Sequence, residues 1–401
     1  MPLSNTLKEK QKRLLKLLIA AGIVGVLLTL FNLLKLNENI AEYFYARGLS
    51  RAYVFIAGHL SGVFPFSVFE VFVAVCVVVL VLVLIRIIKL LCKRRYFKIS
   101  VILTRVLVAV LSFACVYTVV AGGNYYRKPL PLDYYDGGQL SYAETVEIVK
   151  YFWHDYSEIS EKLDYDENGK SISPYTVNQL SEVLRSEYKR LDGNGYFNKY
   201  TPPAKPAVSS FFMSYEHICG ITFMPTGEAM VNYQTPHVYL AVTMAHEMAH
   251  AKGVMVERES NLLAYYILIS SENDYLRYCG YMYGLYHVTE LLIYYDYDGY
   301  RELYDEYAPI AAEIDRGLEN DFWLSKESVI NKISGFFNDL YLKMSGVKDG
   351  TGNYGDWSDV YYPPVEPVDP DEPPPEKPEP IISYSQTARM LIKLGQSKMA
   401  S

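Results

Sequence analysis

Cysteine is scarce in this 401-residue chain: there are five, and Cys76, Cys92 and Cys115 lie in or beside apolar runs. So few exclude a small disulfide-stapled scaffold, and in apolar surroundings Cys acts as a small hydrophobe. Charge is also scarce, at 21% of residues, and no basic excess exists. The formal net charge of −7 excludes a broadly basic nucleic-acid binder. That charge is local, because residues 346–380 carry nine acids against Lys348 and Lys377 while the remainder is balanced. Histidine is limited to seven residues, and no internal repeat is visible. What the chain has in abundance is tyrosine, 38 residues, and three long apolar runs near its start.

Leu17–Leu34 is 18 residues without a charge. Val71–Ile85 adds 15, extended past Arg86 and Lys89 to Leu91, and Val106–Ala121 adds 16, extended back across Arg105 to Val101. A helix crosses a bilayer in roughly 20 apolar residues, and basic side chains near its ends snorkel to the interface. The runs predict a membrane domain over 1–125 with transmembrane helices at about 14–36, 66–91 and 101–121. A cleaved signal peptide is the alternative for the first run, but no small-residue cleavage site follows and two more spans do. Lys8, Lys10, Lys12, Arg13 and Lys16 precede the first span, and Arg86, Lys89, Lys93, Arg94, Arg95 and Lys98 surround the link between the second and third. The loop between the first and second holds only Lys35, Arg47 and Arg51. The positive-inside rule then puts the N-terminus in the cytoplasm and everything after about Gly122 outside the cytoplasmic membrane. Ala52–Phe66, an apolar piece of the external loop, is expected on or in the interface, with Glu70 as an interfacial group.

Residues 126–345 read as a separate domain. Helical periodicity covers Tyr142–Tyr156, Thr176–Leu191 (capped near Ser173), Tyr275–Tyr295 and Tyr304–Leu318. Ile218–Phe223 and Ala229–Val231 are extended pieces around a turn at Pro225–Gly227. Pro236 opens a helix that runs to Lys252 and stops at Gly253, and another follows over Val256–Ser271. Nine prolines between Pro363 and Pro380 make 346–383 an extended acidic linker, with a short C-terminal helix in 384–401. The expected fold class is mainly α: three N-terminal transmembrane helices followed by an α+β domain with a small sheet.

The chemistry lies in His246-Glu247-Met248-Ala249-His250, an HExxH on the helix Pro236–Lys252. Two His at i and i+4 share one helical face and reach one Zn2+, while the intervening Glu activates water as general base. A plain reading is a helix with two satisfied histidines and a surface carboxylate. A catalytic zinc takes three protein ligands and keeps one position open. A metzincin would need His at 256, where Val256 stands. Glu257-Arg258-Glu259-Ser260-Asn261 opens the next helix, so a carboxylate there completes a two-His-one-Glu site. Residues four apart share a face and residues two apart differ by about 200°. Glu257 and Asn261 therefore point one way and Glu259 another, so Glu257 is the expected third ligand. Asn261 is the candidate hydrogen-bond partner of a ligand, and Glu259 a first-turn carboxylate favoured by the helix dipole. The seven-residue interval from His250 requires a sharp reversal at Gly253.

Glu257–Asn261 followed by Ala264 resembles the E-x-E-A-N-x-x-A pattern of ImmA/IrrE-type metallopeptidases, with Ser260 in place of the usual Ala. The segment Gly220-Ile221-Thr222-Phe223-Met224-Pro225-Thr226-Gly227-Glu228-Ala229-Met230-Val231-Asn232, with HEMAH and ERESN after it, resembles an uncharacterised bacterial family. Its members carry three N-terminal spans and an external HExxH domain. The similarity runs from the first span to Gly350, the Pro-rich insertion departs from it, and Ser385–Leu394 is similar to the family's closing helix. The resemblance implies a zincin-like, gluzincin-type domain that holds a metal, and it implies no substrate. By zincin analogy a strand before the motif helix lines an extended peptide, with Ile218–Phe223 or Ala229–Val231 able to serve. Glu228 is then a substrate-side candidate or a plain turn carboxylate. Tyr275, Arg277, Tyr278, Tyr281 and His287 are downstream groups from which an oxyanion donor could come. His217 and His237 read as surface or core residues.

Together these features lead to a membrane-anchored zinc metallopeptidase acting on an external peptide or protein, with the lipid bilayer as its other partner and no nucleic acid. The alternatives are a cell-wall peptide amidase and a non-catalytic envelope protein whose zinc site is structural or sensory.

Overall fold

The computed structural model describes residues 2–131, 137–138, 140–191, 193–362 and 380–400. Helices dominate. The chain opens with α1 (Pro2–Leu34) and a short α2 (Glu38–Ile40), then a π-helical stretch over Ala41–Ser50 that runs into α3 (Arg51–Gly62). Two long helices follow, α4 (Val68–Cys92) and α5 (Tyr96–Val120), and a 3-10 turn over Gly122–Tyr126. Three helical stretches, Glu9–Leu34, Val68–Cys92 and Tyr96–Val120, are long and apolar enough to cross a membrane. Their large apolar residues, Val26, Val78, Leu82 and Val110 among them, are exposed rather than packed, as lipid-facing side chains are.

The rest comprises α6 (Tyr142–Ser160), α7 (Val177–Tyr188), β1 (Ala204–Pro206), α8 (Ser210–Glu216), β2 (Gly220–Phe223), β3 (Glu228–Val231), α9 (His237–Ala251) and α10 (Glu257–Ile269). It continues with α11 (Asp274–Gly284), α12 (Tyr286–Tyr295), α13 (Tyr297–Tyr307), α14 (Ile310–Leu324), α15 (Val329–Ser345), β4 (Asp359–Tyr361), β5 (Ile381–Ser383) and α16 (Gln386–Met399). A 3-10 turn over Gly350–Tyr354 precedes β4. α9 lies at the centre, against the small sheet on one side and α7, α10 and α11 on others. Its Ala241, Met244, Ala245, Met248 and Ala249 are buried in one core with Leu263 and Ile267 of α10, Phe152 of α6 and Leu391 of α16.

Local chemistry sets the helix ends. Thr176, not Ser173, caps α7, exchanging hydrogen bonds with Gln179 in a capping box. The predicted helix Tyr275–Tyr295 is two helices that meet at Leu285, and Tyr304–Leu318 is split at Pro309, which cannot continue α13. Within the expected linker 346–383, residues 350–354 form a 3-10 turn and β4 pairs with β5, while positions 363–379 lie outside the described residues. α16 is integral to the core, because Ala388, Leu391 and Ile392 are fully buried and Gly395 lies against Ile148 and Phe152.

The three-stranded sheet has order β1-β3-β2, with β1 parallel and β2 antiparallel to β3. Ala229–Val231 therefore has both edges paired and cannot accept an added strand, which corrects that part of the sequence reading. β2 is an edge strand; among the described residues no strand pairs with its outer side.

The rest of the chain packs on the ends of the long helices at Leu34, Val68 and Val120, opposite the basic link over residues 93–98. Polar joints weld it there. Glu228 is buried; its carboxylate accepts from Val68 N and Phe69 N, both at 2.9 Å, and pairs with Lys205 Nζ at 2.6 Å. Glu228 thus sits at the N-terminus of α4, where backbone N–H groups favour an anion, and its carboxylate is committed to that joint rather than to a substrate. Glu70 of α4 reciprocates, accepting from Ser209 N at 2.8 Å and Val208 N at 3.1 Å beside α8. Elsewhere Arg127 binds Glu42 and donates to the carbonyls of Gly253 (3.1 Å) and Tyr196 (2.9 Å). Phe223, at the end of β2, stacks on Phe69, 4.2 Å between ring centroids, with Phe72 and Phe113 next to it.

Candidate metal centre

Gly253 has φ +94°, which glycine adopts without strain. Its N–H returns to the carbonyl of His250 at 2.8 Å and that of Val254 to Ala249 at 3.2 Å, a Schellman closure of α9. This is the sharp reversal that brings α10 back across α9.

His246, His250 and Glu257 converge as a result, with one ligand atom from each within 4.8 Å of the others. Glu257 Oε2 stands 3.2 Å from His246 Nε2 and 3.3 Å from His250 Nε2. Tetrahedral zinc with bonds of about 2.0–2.2 Å requires ligand atoms about 3.3–3.5 Å apart.

The protons are placed by the outer ring of contacts. Asn261 Nδ2 donates to the carbonyl of Tyr354 at 3.0 Å, so its Oδ1 faces His246 Nδ1 at 2.7 Å and accepts from it. His250 Nδ1 donates to the carbonyl of Val254 at 2.8 Å, and Ser260 Oγ donates to the same carbonyl at 2.9 Å. In the neutral imidazoles both Nε2 atoms are then bare lone pairs aimed at a buried carboxylate oxygen that accepts no hydrogen bond among the described residues. Three acceptors around one point call for positive charge, which a proton or a bound cation supplies, and two imidazoles with a carboxylate form a donor set that could hold a metal such as zinc.

With only protons to supply that charge, burial and the imidazoles oppose each other. Burial raises the Glu257 pKa, but the facing His250 and His246 overcome it and hold the carboxyl at about 2. Burial lowers the His250 pKa, but Glu257 and Glu247 outweigh it and push the imidazole up to about 9. Both shifts mark the same demand for positive charge between Glu257 and the histidines.

Glu247 is buried beside the cluster. Thr222 Oγ1 donates to its Oε2 at 2.7 Å and to its backbone carbonyl at 2.8 Å. A Cβ at Gly220 would come 2.5 Å from Glu247 Oε1, so only glycine leaves room for this carboxylate against β2. Burial raises the Glu247 pKa against the lowering effect of the two histidines, the direction that suits a general base working near neutral pH. His246 keeps 12% of its side chain accessible, so the cluster opens on that side.

Glu259 lies elsewhere, accepting from Leu130 N at 3.3 Å, with its pKa raised by burial. None of the downstream groups joins the cluster. Tyr275 contacts His237, Tyr278 bonds Asp315, Tyr281 and Arg277 bond Asp155, and His287 bonds the carbonyl of Asp356. The aromatic neighbours are Tyr354, stacked on His246 at 6.4 Å, and Tyr125, whose phenol feels the Glu257 charge. Burial first, then that charge, raises the Tyr354 pKa well above the ordinary phenol value, so its O–H stays a donor. Gly220 and Thr222 were overlooked in the sequence although a glycine two residues from a threonine in a strand signals one face in close contact. Nothing in so tyrosine-rich a chain singles out Tyr354 or Tyr125.

The chain is thus a mostly helical protein with three helices able to cross a membrane and a His–His–Glu cluster packed at their ends. Residues 45–360 match the family described as a protein of unknown function, DUF3810, and the chain belongs to that family. The match starts beyond α1 and includes HEMAH, the Glu257–Asn261 segment and Tyr354; α16 lies past its end. No curated protein and no solved structure matches the chain.

Proposed function

We propose that this protein is a membrane-anchored, zinc-dependent metallopeptidase with a zincin-like domain. The observation that carries the reading is the convergence of His246 Nε2 and His250 Nε2 on a buried Glu257 oxygen, with Glu247 alongside. His246, His250 and Glu257 would hold the ion. Zinc, when bound, supplies a positive charge that acidifies water and polarises a peptide carbonyl.

The chain's own residues do the rest. Thr222 occupies Glu247 Oε2, leaving Oε1 to take the proton from the attacking water. As the C–N bond breaks, Glu247 returns that proton to the departing amine, so the carboxylate is regenerated. β2 offers beside Glu247 an edge that no described strand pairs, so an extended peptide can add as a strand with its scissile bond at the cluster. Asn261, Val254 and Ser260 orient the two imidazoles. The protonated phenols of Tyr354 and Tyr125 are the nearby donors for a developing oxyanion. The distribution of basic residues supports an orientation with the N-terminus inside and the cluster outside the cytoplasmic membrane.

Purified full-length protein in detergent should contain zinc and cleave a mixed-sequence peptide library, and Glu247→Gln should keep the zinc and lose the cleavage. Retained cleavage in that variant refutes the mechanism. A reporter fused after Pro129 that is active only in the cytoplasm refutes the orientation.

A further inference from the structure

α15 carries an apolar surface that the other described residues leave bare. Val329, Ile330, Ile333, Phe336, Phe337, Leu340, Tyr341 and Met344 are all exposed, Phe336 at 65%, Phe337 at 61% and Met344 at 76%. At 100° per residue they fall within an arc of about 140°. The opposite arc carries Asn331, Asn338, Leu342 and Ser345 and faces the protein, with Leu342 and Ser345 buried. An apolar stripe this wide on an exposed helix marks an interaction surface.

Its position indicates what covers it. Tyr341 hydrogen-bonds Tyr117, in the last turn of α5, and Tyr125, just beyond it, the latter at 2.9 Å. At the other end of α15, Ser328 Oγ donates to the carbonyl of Tyr215 in α8 at 3.3 Å. α8 is seven residues, about 10 Å long, and its start is held by Glu70 of α4. Both ends of α15 are therefore tied to the ends of the long helices, one to α5 directly and the other to α4 through a single short helix. Phe211 and Phe212 of α8 are exposed as well. The bare face of α15 thus lies beside the ends of the long helices, whose own apolar residues are exposed.

The cluster shares that level. Phe223 of β2, one residue from Thr222, stacks on Phe69, Phe72 and Phe113 of the long helices. Tyr125 connects the end of α5 to Glu257's surroundings, and the turn that follows α15 delivers Tyr354 to His246.

We propose that α15 is an interfacial helix with its apolar arc immersed in the outer boundary of the bilayer, so that the candidate metal centre works at the lipid–water boundary on polypeptide held against the membrane surface. The substrate class rests on the peptidase reading; the immersion of α15 does not.

Two measurements on the full-length protein in phosphatidylcholine nanodiscs test this. In the first, Trp is introduced by Phe336→Trp, Met344→Trp or, on the polar arc, Lys332→Trp, and quenching by lipids brominated near the headgroup is compared with the wild type. Added fluorescence at 336 and 344 should be quenched at least about threefold more than at 332, since quenching requires contact with the acyl chains. Equal quenching at the three positions overturns the proposal, as does protection of 336 and 344 by a second copy, seen as two chains per nanodisc.

In the second, a fluorogenic mixed-sequence peptide is anchored to the nanodisc by a palmitoyl chain, either directly or through a long Gly–Ser spacer. Direct anchoring should give cleavage at least as fast as the spacer form, and Phe336→Asp with Phe337→Asp should slow the directly anchored peptide more than tenfold while sparing the spacer form. Cleavage of the spacer form alone by the wild type overturns the proposal and leaves the peptidase reading intact. Cleavage of neither overturns the peptidase reading and the substrate class with it.

Discussion

Two buried glutamates at the junction of this protein show opposite solutions to one electrostatic problem. Glu228 is surrounded by donors: an ammonium group and two backbone N–H groups at the start of α4. Glu257 is almost as buried but faces two imidazole nitrogens whose protons, in the neutral rings, lie on the far side. A carboxylate with its full complement of donors is a finished joint. A carboxylate that converges with other acceptors is half of a binding site, because removing a charge from water is costly unless a counter-charge meets it.

The largest effect is expected from breaking the finished joint. Glu228→Ala leaves Lys205 charged and buried without its partner, and breaking a buried pair this way costs about 3–5 kcal/mol. Unfolding in detergent should show that loss, and Lys205→Met combined with Glu228→Gln should recover most of it. No loss in the single variant would mean that water reaches the joint.

Breaking the unfinished site should leave the fold and remove the metal. In Glu257→Gln the new amide can donate to a bare imidazole nitrogen, so the metal-free protein remains folded while zinc falls from near one per chain to near zero by elemental analysis. Cooperative unfolding of this variant at the wild-type midpoint, together with loss of zinc, would separate Glu257 sharply from Glu228.

The contrast should also appear in pH dependence. His250 titrates above its ordinary value of 6.5, up to about 9, and Glu257 below its ordinary 4.5, down to about 2. In chelator-treated protein the His250 contribution to stability is complete below pH 6.5 and is lost as pH rises through about 9. The Glu257 contribution is complete above pH 4.5 and is lost as pH falls through about 2. The cluster therefore stabilises the metal-free protein most between those ordinary values. Zinc displaces the His250 proton, so its affinity should rise over the range in which the metal-free protein weakens. Thermal midpoints with and without chelator from pH 6 to 9 should diverge, and parallel curves would count against metal binding here.

The smallest effects separate neighbours. Asn261→Ala frees the His246 ring and should weaken zinc binding about 10–100-fold, whereas Glu259→Gln, beside Leu130, should leave affinity unchanged. Competition with a fluorescent chelator measures both.

Much of the site was legible because it is local. His246 and His250 share a face by helical period, Gly253 ends α9 through its backbone, and the interval from Glu257 to Asn261 is again one turn. The same arithmetic turns Glu259 away. The fold was legible where composition or helical period dominates, as in the three apolar helices and the C-terminal helix that became α16. It was misread where distant parts meet: the broken helices after Asp274, the β4–β5 pair within 346–383, and α16 in the core.

The sequence by itself determined the HExxH helix, the candidate third residue of its cluster and the apolar helices, since periodicity and hydropathy act over a few residues. Only the tertiary structure decided that Glu228 caps α4, that Gly220 and Thr222 frame Glu247, and that Tyr354 stacks on His246. Those contacts join residues up to 160 positions apart, and the burial and hydrogen bonding that settle each role arise only once the chain has folded.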